Sequence, residues 1–319
     1  MKLILHIGQP KTGTTSIQNI LRINKKKLQD FGYLYETNAL NHQPIMAKIQ
    51  QASNPDLELK NFVTKLKEKA IEQQCNVIIL SSEAFLTMDK YFIRNLINEF
   101  NIMTEAIVYL KRQDLFLESS WKQWHFKNLH YKDFNDFVKK FELYDYFTIL
   151  DEWRNLLGKN NIKVFPFEKR IFPNGLLKHF LQQLKLSEEQ ISQMNFDIPK
   201  TMFGTNQGLS TKGLKFAFLV RELSNGPLDY KIENFIHKYL GDVFHKDHFE
   251  NYGLFELEDR KKYIGKWEEC NSKVSKDFFD SNTLFTDTID IPKSNEEITI
   301  DDIAKVVMSL GIKMDDKLV

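Results

Sequence analysis

The residues with the clearest chemical potential form the string GQPKTGTTS at positions 8–16. Gly8 and Gly13 allow the backbone to turn and to approach a ligand closely, Lys11 adds a positive charge, and four hydroxyl residues add donors. The string follows an apolar run at residues 3–7 and precedes a helical pattern. Such a loop, followed by a helix N-terminus, points backbone N–H groups at an anion. The sequence therefore predicts a phosphate site in this loop.

The order of the loop residues argues against an ATPase. A nucleotide-triphosphatase loop reads GxxxxGK[ST], whereas Lys11 precedes Gly13 here and Thr14 occupies the lysine position. The alternative interpretation is a hydroxyl-rich helix cap after a tight turn. It does not explain why Pro10, Lys11 and Gly13 occur together, so the anion site is the better hypothesis.

The elements around the loop predict an α/β fold. Apolar runs of strand length occur at 3–7, 76–80, 105–110 and 161–167. Helical patterns lie between these runs, and this alternation predicts a parallel sheet flanked by helices. Beyond residue 185 the segments are helix-like and charged. We therefore predict an α/β core at 1–185 and a mainly helical part at 186–319, packed on the core as one continuous domain because no Pro/Gly/Ser linker separates them.

Composition restricts the function classes further. The 319 residues include 44 Lys plus Arg and 43 Asp plus Glu, for a net charge of +1, so no nucleic-acid partner is expected. The two cysteines lack metal-ligand spacing, which predicts a reduced protein without structural zinc. No apolar run has the length of a signal-peptide core or a membrane span, and we expect the protein to work in the cytoplasm.

Two motifs resemble those of a known family. PKTGTTS is similar to the 5′-phosphosulfate loop of sulfotransferases that take a sulfuryl group from 3′-phosphoadenosine 5′-phosphosulfate (PAPS). The family pattern PKxGTTx is matched in order by Pro10, Lys11, Thr12, Gly13, Thr14, Thr15 and Ser16. The second family motif is a strand that ends in an Arg, with a Ser eight positions later. Arg112 and Ser120 in IVYLKRQDLFLESSW have this spacing.

The resemblance implies that Arg112 and Ser120 bind the 3′-phosphate of PAPS, with Ser119 as an alternative to Ser120. For Arg112 alone, the competing interpretation is an ion pair with Asp114 or Glu118. The segment VFPFEKR resembles the strand-end segment that members of the family place near the adenine of PAPS, with Phe167 at its aromatic position.

Other parts of the chain match the family less closely. The family's late Arg-Lys-Gly loop has only Thr211-Lys212-Gly213 as a counterpart, so a contact from Lys212 stays open. Residues 1–170 are similar to a bacterial group of sulfotransferases associated with cell-surface carbohydrates.

This resemblance implies a P-loop sulfotransferase fold, PAPS as donor, adenosine 3′,5′-bisphosphate as product and no metal. Lys11 suits the leaving oxygen, because sulfuryl transfer needs positive charge there and a base for the acceptor proton. Glu83 follows the second predicted strand, at the place of the base in small-molecule members, and is our first choice. His42 is the close second, and Glu36 is a further alternative.

The resemblance also suggests the partners. A carbohydrate or another hydroxyl compound is the expected acceptor, and Trp121, Trp124, His125 and Tyr131 are candidate sugar contacts that are equally compatible with a hydrophobic core. Peripheral association with a polysaccharide-assembly system and the oligomeric state stay open. Two rival functions are a kinase with a deviant P-loop and a non-catalytic nucleotide-binding assembly subunit.

The assignment of Arg112 gives a selective test. We expect Arg112→Ala to weaken binding of the 3′-phosphorylated cofactor far more than binding of adenosine 5′-phosphosulfate, because only the former carries the 3′-phosphate. Calorimetric titration of both ligands measures the two losses. Equal losses for the two ligands would contradict the assignment.

Overall fold

The computed structural model describes residues 1–126, 130–197, 211–223, 253–291, 293 and 297–315. Its strands are β1 (Lys2–His6), β2 (Tyr33–Leu34), β3 (Val77–Ser81), β4 (Met103–Leu110) and β5 (Ile162–Pro166). Its helices are α1 (Thr14–Ile23), α2 (Lys25–Asp30), α3 (Gln43–Gln50), α4 (Pro55–Glu72), α5 (Lys90–Phe100), α6 (Gln113–Ser120), α7 (Phe134–Lys140), α8 (Tyr146–Leu157), α9 (Leu176–Gln183), α10 (Glu188–Ser192), α11 (Thr211–Leu223), α12 (Leu257–Gly265), α13 (Glu268–Phe279) and α14 (Ile300–Asp315). The predicted α/β class is therefore confirmed. Of the helix-like segments predicted beyond residue 185, the one at 232–244 lies outside the described residues.

The chain forms two compact units, each built from three segments. Unit 1 comprises Met1–Arg112, Tyr144–Phe203 and Glu268–Thr286. Unit 2 comprises Gln113–Leu143, Gly204–Trp267 and Asp287–Val319. The division at residue 185 stays a prediction.

Unit 1 contains the sheet, in the order β2-β3-β1-β4-β5 with all pairs parallel. The central strand β1 pairs with β3 on one side and β4 on the other, so that His6 lies beside both Ser81 and Ile107. Three carboxyl ends thus meet at one edge, on both sides of the strand where the chain order reverses. In open α/β sheets, ligands bind at this switch point.

Burial on both faces explains the apolar runs. Leu3, Ile4 and Leu5 of β1 are all buried, as expected for a parallel strand covered by helices on both sides. Helices α1 and α9 contribute to one core cluster around Ile4. All four predicted strands are present with ends shifted by a few residues, whereas β2 has only two residues and gives no recognisable pattern.

The regular elements that the structure describes in unit 2 are helices, and its described residues include a buried charge cluster. The Arg260 guanidinium, which is 0% exposed, donates to Asp114 and, at 2.7 Å, to Glu118. Glu118 also accepts the backbone N–H groups of Leu254 and Phe255 at 2.6 and 3.2 Å. This cluster ties α6 to the beginning of α12. Among the described residues of the whole chain, no helix has both the length and the apolar character to cross a bilayer.

Removing one partner of this cluster should strongly destabilise unit 2. We expect Arg260→Ala to lower the free energy of unfolding by about 3–5 kcal/mol, because two carboxylates lose their buried counter-charge. Lys261→Ala is the matched control, since Lys261 pairs with exposed Glu258 and such pairs contribute at most about 1 kcal/mol. Denaturant titration of both variants measures the difference, and similar small losses would contradict the role of Arg260.

Candidate active site

The loop after β1 turns sharply at two residues with a left-handed backbone conformation. Lys11 has a φ of +69° and Gly13 a φ of +74°, both in the left-handed region that only glycine adopts freely. The buried Thr12 hydroxyl donates to the Gln9 carbonyl at 2.6 Å and holds the turn closed. At Gly8, an added Cβ would lie 2.5 Å from the Thr14 side chain, so the strand and the helix meet there without a side chain between them.

Helix α1 begins directly after this turn, so the N–H groups of its first turn face the loop instead of a helical carbonyl. The Ile17 N–H donates the first helical hydrogen bond, to the Gly13 carbonyl at 3.1 Å. Gly13 has no side chain that could cap the helix. The N–H groups of Thr14, Thr15 and Ser16 precede that first helical bond. With the positive end of the helix dipole and the Lys11 charge, this geometry suits an anion.

Glu83 lies against the loop. It begins a short 3₁₀ helix (Glu83–Leu86) directly after β3, where the Ser82 hydroxyl accepts the Ala84 N–H at 3.2 Å. The Thr14 hydroxyl donates to Glu83 Oε1. Burial raises the pKa of Glu83, while the Thr14 hydrogen bond and the Lys11 charge lower it by less. The Glu83 carboxylate, with its raised pKa, is therefore in contact with the loop.

The two alternative bases have other partners. His42 is fully buried, its Nδ1 accepts the Ser81 N–H at 3.1 Å, and its Nε2 donates to the Glu36 carbonyl at 3.0 Å. The Glu36 carboxylate pairs with Lys25 and Lys69 at 2.9 and 2.7 Å. Burial opposes ionisation of Glu36, but these two lysines outweigh it and lower its pKa. Of the three candidates, Glu83 is the one whose carboxylate contacts the loop.

A buried amide joins the loop to the end of β4. The fully buried Gln9 side chain accepts the Lys111 N–H at 2.7 Å and donates to the Tyr146 hydroxyl at 2.7 Å. Tyr146, the first residue of α8, donates in turn to the Lys111 carbonyl at 2.7 Å. We call Gln9, Lys111 and Tyr146 the Gln9 bridge. Sequence reasoning missed it, because Gln9 and Lys111 only flank motifs and Tyr146 belongs to none.

Two further side chains border the loop in unit 1. Lys111 Nζ lies 5.7 Å from the centre of the Phe167 ring and 3.3 Å from the Lys11 carbonyl. A Cβ added at Gly13 would lie 3.7 Å from Cε2 of the Phe167 ring. The predicted aromatic residue is therefore beside the loop, and Lys111 adds a second cation that the sequence motifs did not indicate.

The residues predicted at the 3′-phosphate belong to different units. Arg112 follows β4 in unit 1 and is buried, with 4% exposed. Ser120 ends α6 in unit 2, is fully buried, and its hydroxyl has no hydrogen-bond partner among the described residues. Their convergence on one phosphate stays a prediction. Lys212, also in unit 2, donates to Asp302 at 3.0 Å.

Two of the four candidate sugar contacts are core residues of unit 2, and His125 is half-buried. Trp121 is 3% exposed and packs against Phe137 with ring centres 5.5 Å apart, and Tyr131 is 8% exposed. Trp124 differs, with 39% of its surface exposed. It lies in a single π-helical turn (Trp121–His125), a feature that is frequent at functional sites.

Comparison with known proteins gives no functional assignment. No protein-family model matches the chain. A relative is an uncharacterized protein of Archaeoglobus fulgidus, 29% identical over 213 residues. The alignment covers 65% of this chain and 55% of the relative, so the chain spans about half the length of that protein.

The burial of His42 predicts a measurable dependence of stability on pH. Burial lowers the pKa of His42 to about 4 from 6.5, so the folded state binds fewer protons than the unfolded state between these values. Stability present at pH 7 is therefore lost as the pH falls. We expect His42→Gln to reduce the loss between pH 7 and pH 5 by about 2 kcal/mol relative to the wild type, from denaturant titrations.

Gln50→Ala supplies the control for this measurement, because Gln50 is exposed and uncharged on the helix that follows His42, and this variant should retain the wild-type loss. His6 adds a similar loss to every variant, because burial lowers its pKa to about 3. An unchanged loss in His42→Gln would contradict a neutral, buried His42.

Proposed function

We propose that this protein is a PAPS-dependent sulfotransferase that moves the sulfuryl group to a hydroxyl, with a cell-surface carbohydrate as the acceptor class and the cytoplasm as its place of work. The contact between the Thr14 hydroxyl and Glu83 carries the proposal. It joins an anion-binding loop to a basic carboxylate at the switch point of the sheet. Sulfuryl transfer to an alcohol requires these two groups side by side.

The residues divide the reaction between them. The N–H groups of Thr14, Thr15 and Ser16 bind the 5′-phosphate end of the donor. The acceptor oxygen forms a bond to sulfur as the bond from sulfur to the bridging oxygen breaks. Glu83 takes the acceptor proton, and the electron pair of the broken bond stays on the 5′-phosphate of adenosine 3′,5′-bisphosphate. The Lys11 ammonium offsets the charge that develops on this oxygen.

The remaining residues of the cofactor motifs are chemically suited to the donor. Arg112 supplies planar donors for bidentate binding of the 3′-phosphate. Ser120, the second donor that the family motif predicts for this phosphate, belongs to the other unit, and its contribution stays a prediction. Phe167 offers an aromatic face to the adenine, and Pro10 and Thr12 shape the turn. Among the described residues, no three His, Cys, Asp or Glu side chains form a group that would hold a metal ion.

The environment of Glu83 also supports its role as the base. Burial raises its pKa, and a base with a higher pKa takes a proton more readily, provided that it is ionised at the working pH. The Lys11 charge and the Thr14 hydroxyl favour the ionised form. Glu83 can therefore be ionised, and its carboxylate is more basic than that of an exposed glutamate.

Replacing Glu83 should separate transfer from binding. We expect Glu83→Gln to reduce the transfer of labelled sulfate from PAPS to a panel of hydroxyl acceptors by at least about a hundredfold, the usual contribution of a general base. The affinity for adenosine 3′,5′-bisphosphate should stay within a few fold, because the glutamine amide can still contact Thr14.

Glu68→Gln makes the same substitution on the exposed surface of α4 and should leave the transfer rate unchanged. Full transfer by Glu83→Gln would eliminate Glu83 as the base. Tight bisphosphate binding without transfer to any acceptor would favour a non-catalytic nucleotide-binding subunit instead.

A further inference from the structure

The Gln9 bridge connects the two parts of unit 1 that the proposed function assigns to the two ends of the donor. Gln9 precedes Pro10 and the phosphosulfate loop, and Lys111 precedes Arg112. Their side-chain-to-backbone hydrogen bond is 2.7 Å long. The bridge therefore joins the residues that follow β1 and β4 at the switch point.

A second set of hydrogen bonds, through Tyr146, also connects Gln9 to Lys111. Tyr146 accepts from Gln9 Nε2 and donates to the Lys111 carbonyl, so both backbone polar groups of Lys111 are bound within the same ring of contacts. Lys111 Nζ returns to the Lys11 carbonyl at 3.3 Å. The Asp145 side chain caps α8 by accepting the Thr148 N–H at 2.7 Å and thus fixes the start of the helix that carries Tyr146.

Burial makes this arrangement specific. Gln9 is 0% and Tyr146 1% exposed, so water cannot replace a missing partner without a structural change. The amide makes both contacts in one orientation, with Oε1 toward the Lys111 N–H and Nε2 toward the Tyr146 hydroxyl, and this fixes the separation between the loop and the end of β4.

We propose that Gln9 and Tyr146 are positioning residues that set the distance between the 5′-phosphate loop and Arg112, and thereby select nucleotides with phosphates at both the 3′ and the 5′ position. This inference rests on the proposed function. The loop alone holds a 5′-phosphate, whereas simultaneous contact with a 3′-phosphate requires Arg112 at a fixed separation from the loop. Loosening the bridge should therefore reduce selectivity more than basal phosphate binding.

The test compares the affinities for two nucleotides in two variants, each of which replaces one tyrosine by phenylalanine. We expect Tyr146→Phe to weaken binding of adenosine 3′,5′-bisphosphate about fivefold more than binding of adenosine 5′-monophosphate, by calorimetric titration. Tyr33→Phe is the control, because the Tyr33 hydroxyl also donates to a backbone carbonyl, Leu184, at 2.7 Å, but at the opposite edge of the sheet. Its ratio of affinities should match the wild type.

A second variant tests whether the bridge acts as one unit. Gln9→Met removes the amide, and the double variant Gln9→Met/Tyr146→Phe should change the ratio no more than either single variant, because residues of one network are not additive. Equal losses for both ligands, or additive changes in the ratio, would overturn the positioning role.

Hydrogen exchange distinguishes failure of this inference from failure of the proposed function. Gln9→Met should increase exchange of the Lys111 amide without any ligand present, and unchanged exchange would overturn the bridge itself. If the bridge is present but the wild type binds the bisphosphate no better than the monophosphate, the proposed function fails, and the selective role of the bridge fails with it.

Discussion

The parallel pairing of β1 with both β3 and β4 is the constraint on which the rest of the site depends. It brings three strand ends to one edge of the sheet, and each end delivers a different chemical group. The loop and α1 follow β1, Glu83 follows β3, and Lys111 and Arg112 follow β4. A change of register would separate these groups from one another, so the pairing of the apolar strands determines the position of the polar residues that follow them.

Buried polar groups then fix the details that the sheet leaves open. Gln9, Thr12 and Tyr146 hold the loop and the end of β4, while His42 holds the end of β3 through the Ser81 backbone. Each of these side chains uses its polar atoms within the protein. Glu83 differs, because its environment opposes ionisation through burial and favours it through Lys11. A carboxylate balanced in this way is suited to taking and releasing a proton.

The sequence indicated the sheet and the loop for the same reason: each rests on a local pattern. Glu83 was chosen instead from the family resemblance and from its place after a predicted strand. Branched apolar runs predict buried strands, and the glycines, lysine and hydroxyls of residues 8–16 are adjacent in the chain. The Gln9 bridge could not be predicted, because it joins residues separated by 102 and 137 positions through one amide. The two-residue strand β2 was too short for a pattern. His42 and Glu83 were not separated by sequence because burial and partner choice depend on the fold.

The most direct test of the account is the melting temperature of the wild-type protein with adenosine 3′,5′-bisphosphate, with and without magnesium, beside Mg·ATP and adenosine 5′-monophosphate. A ligand that binds only the folded state raises the melting temperature by mass action. A PAPS-dependent sulfotransferase should show a large, magnesium-independent increase for the bisphosphate that the other two nucleotides do not produce. No increase for the bisphosphate, with a clear one for Mg·ATP, would contradict the proposed function and favour a kinase with a deviant phosphate loop.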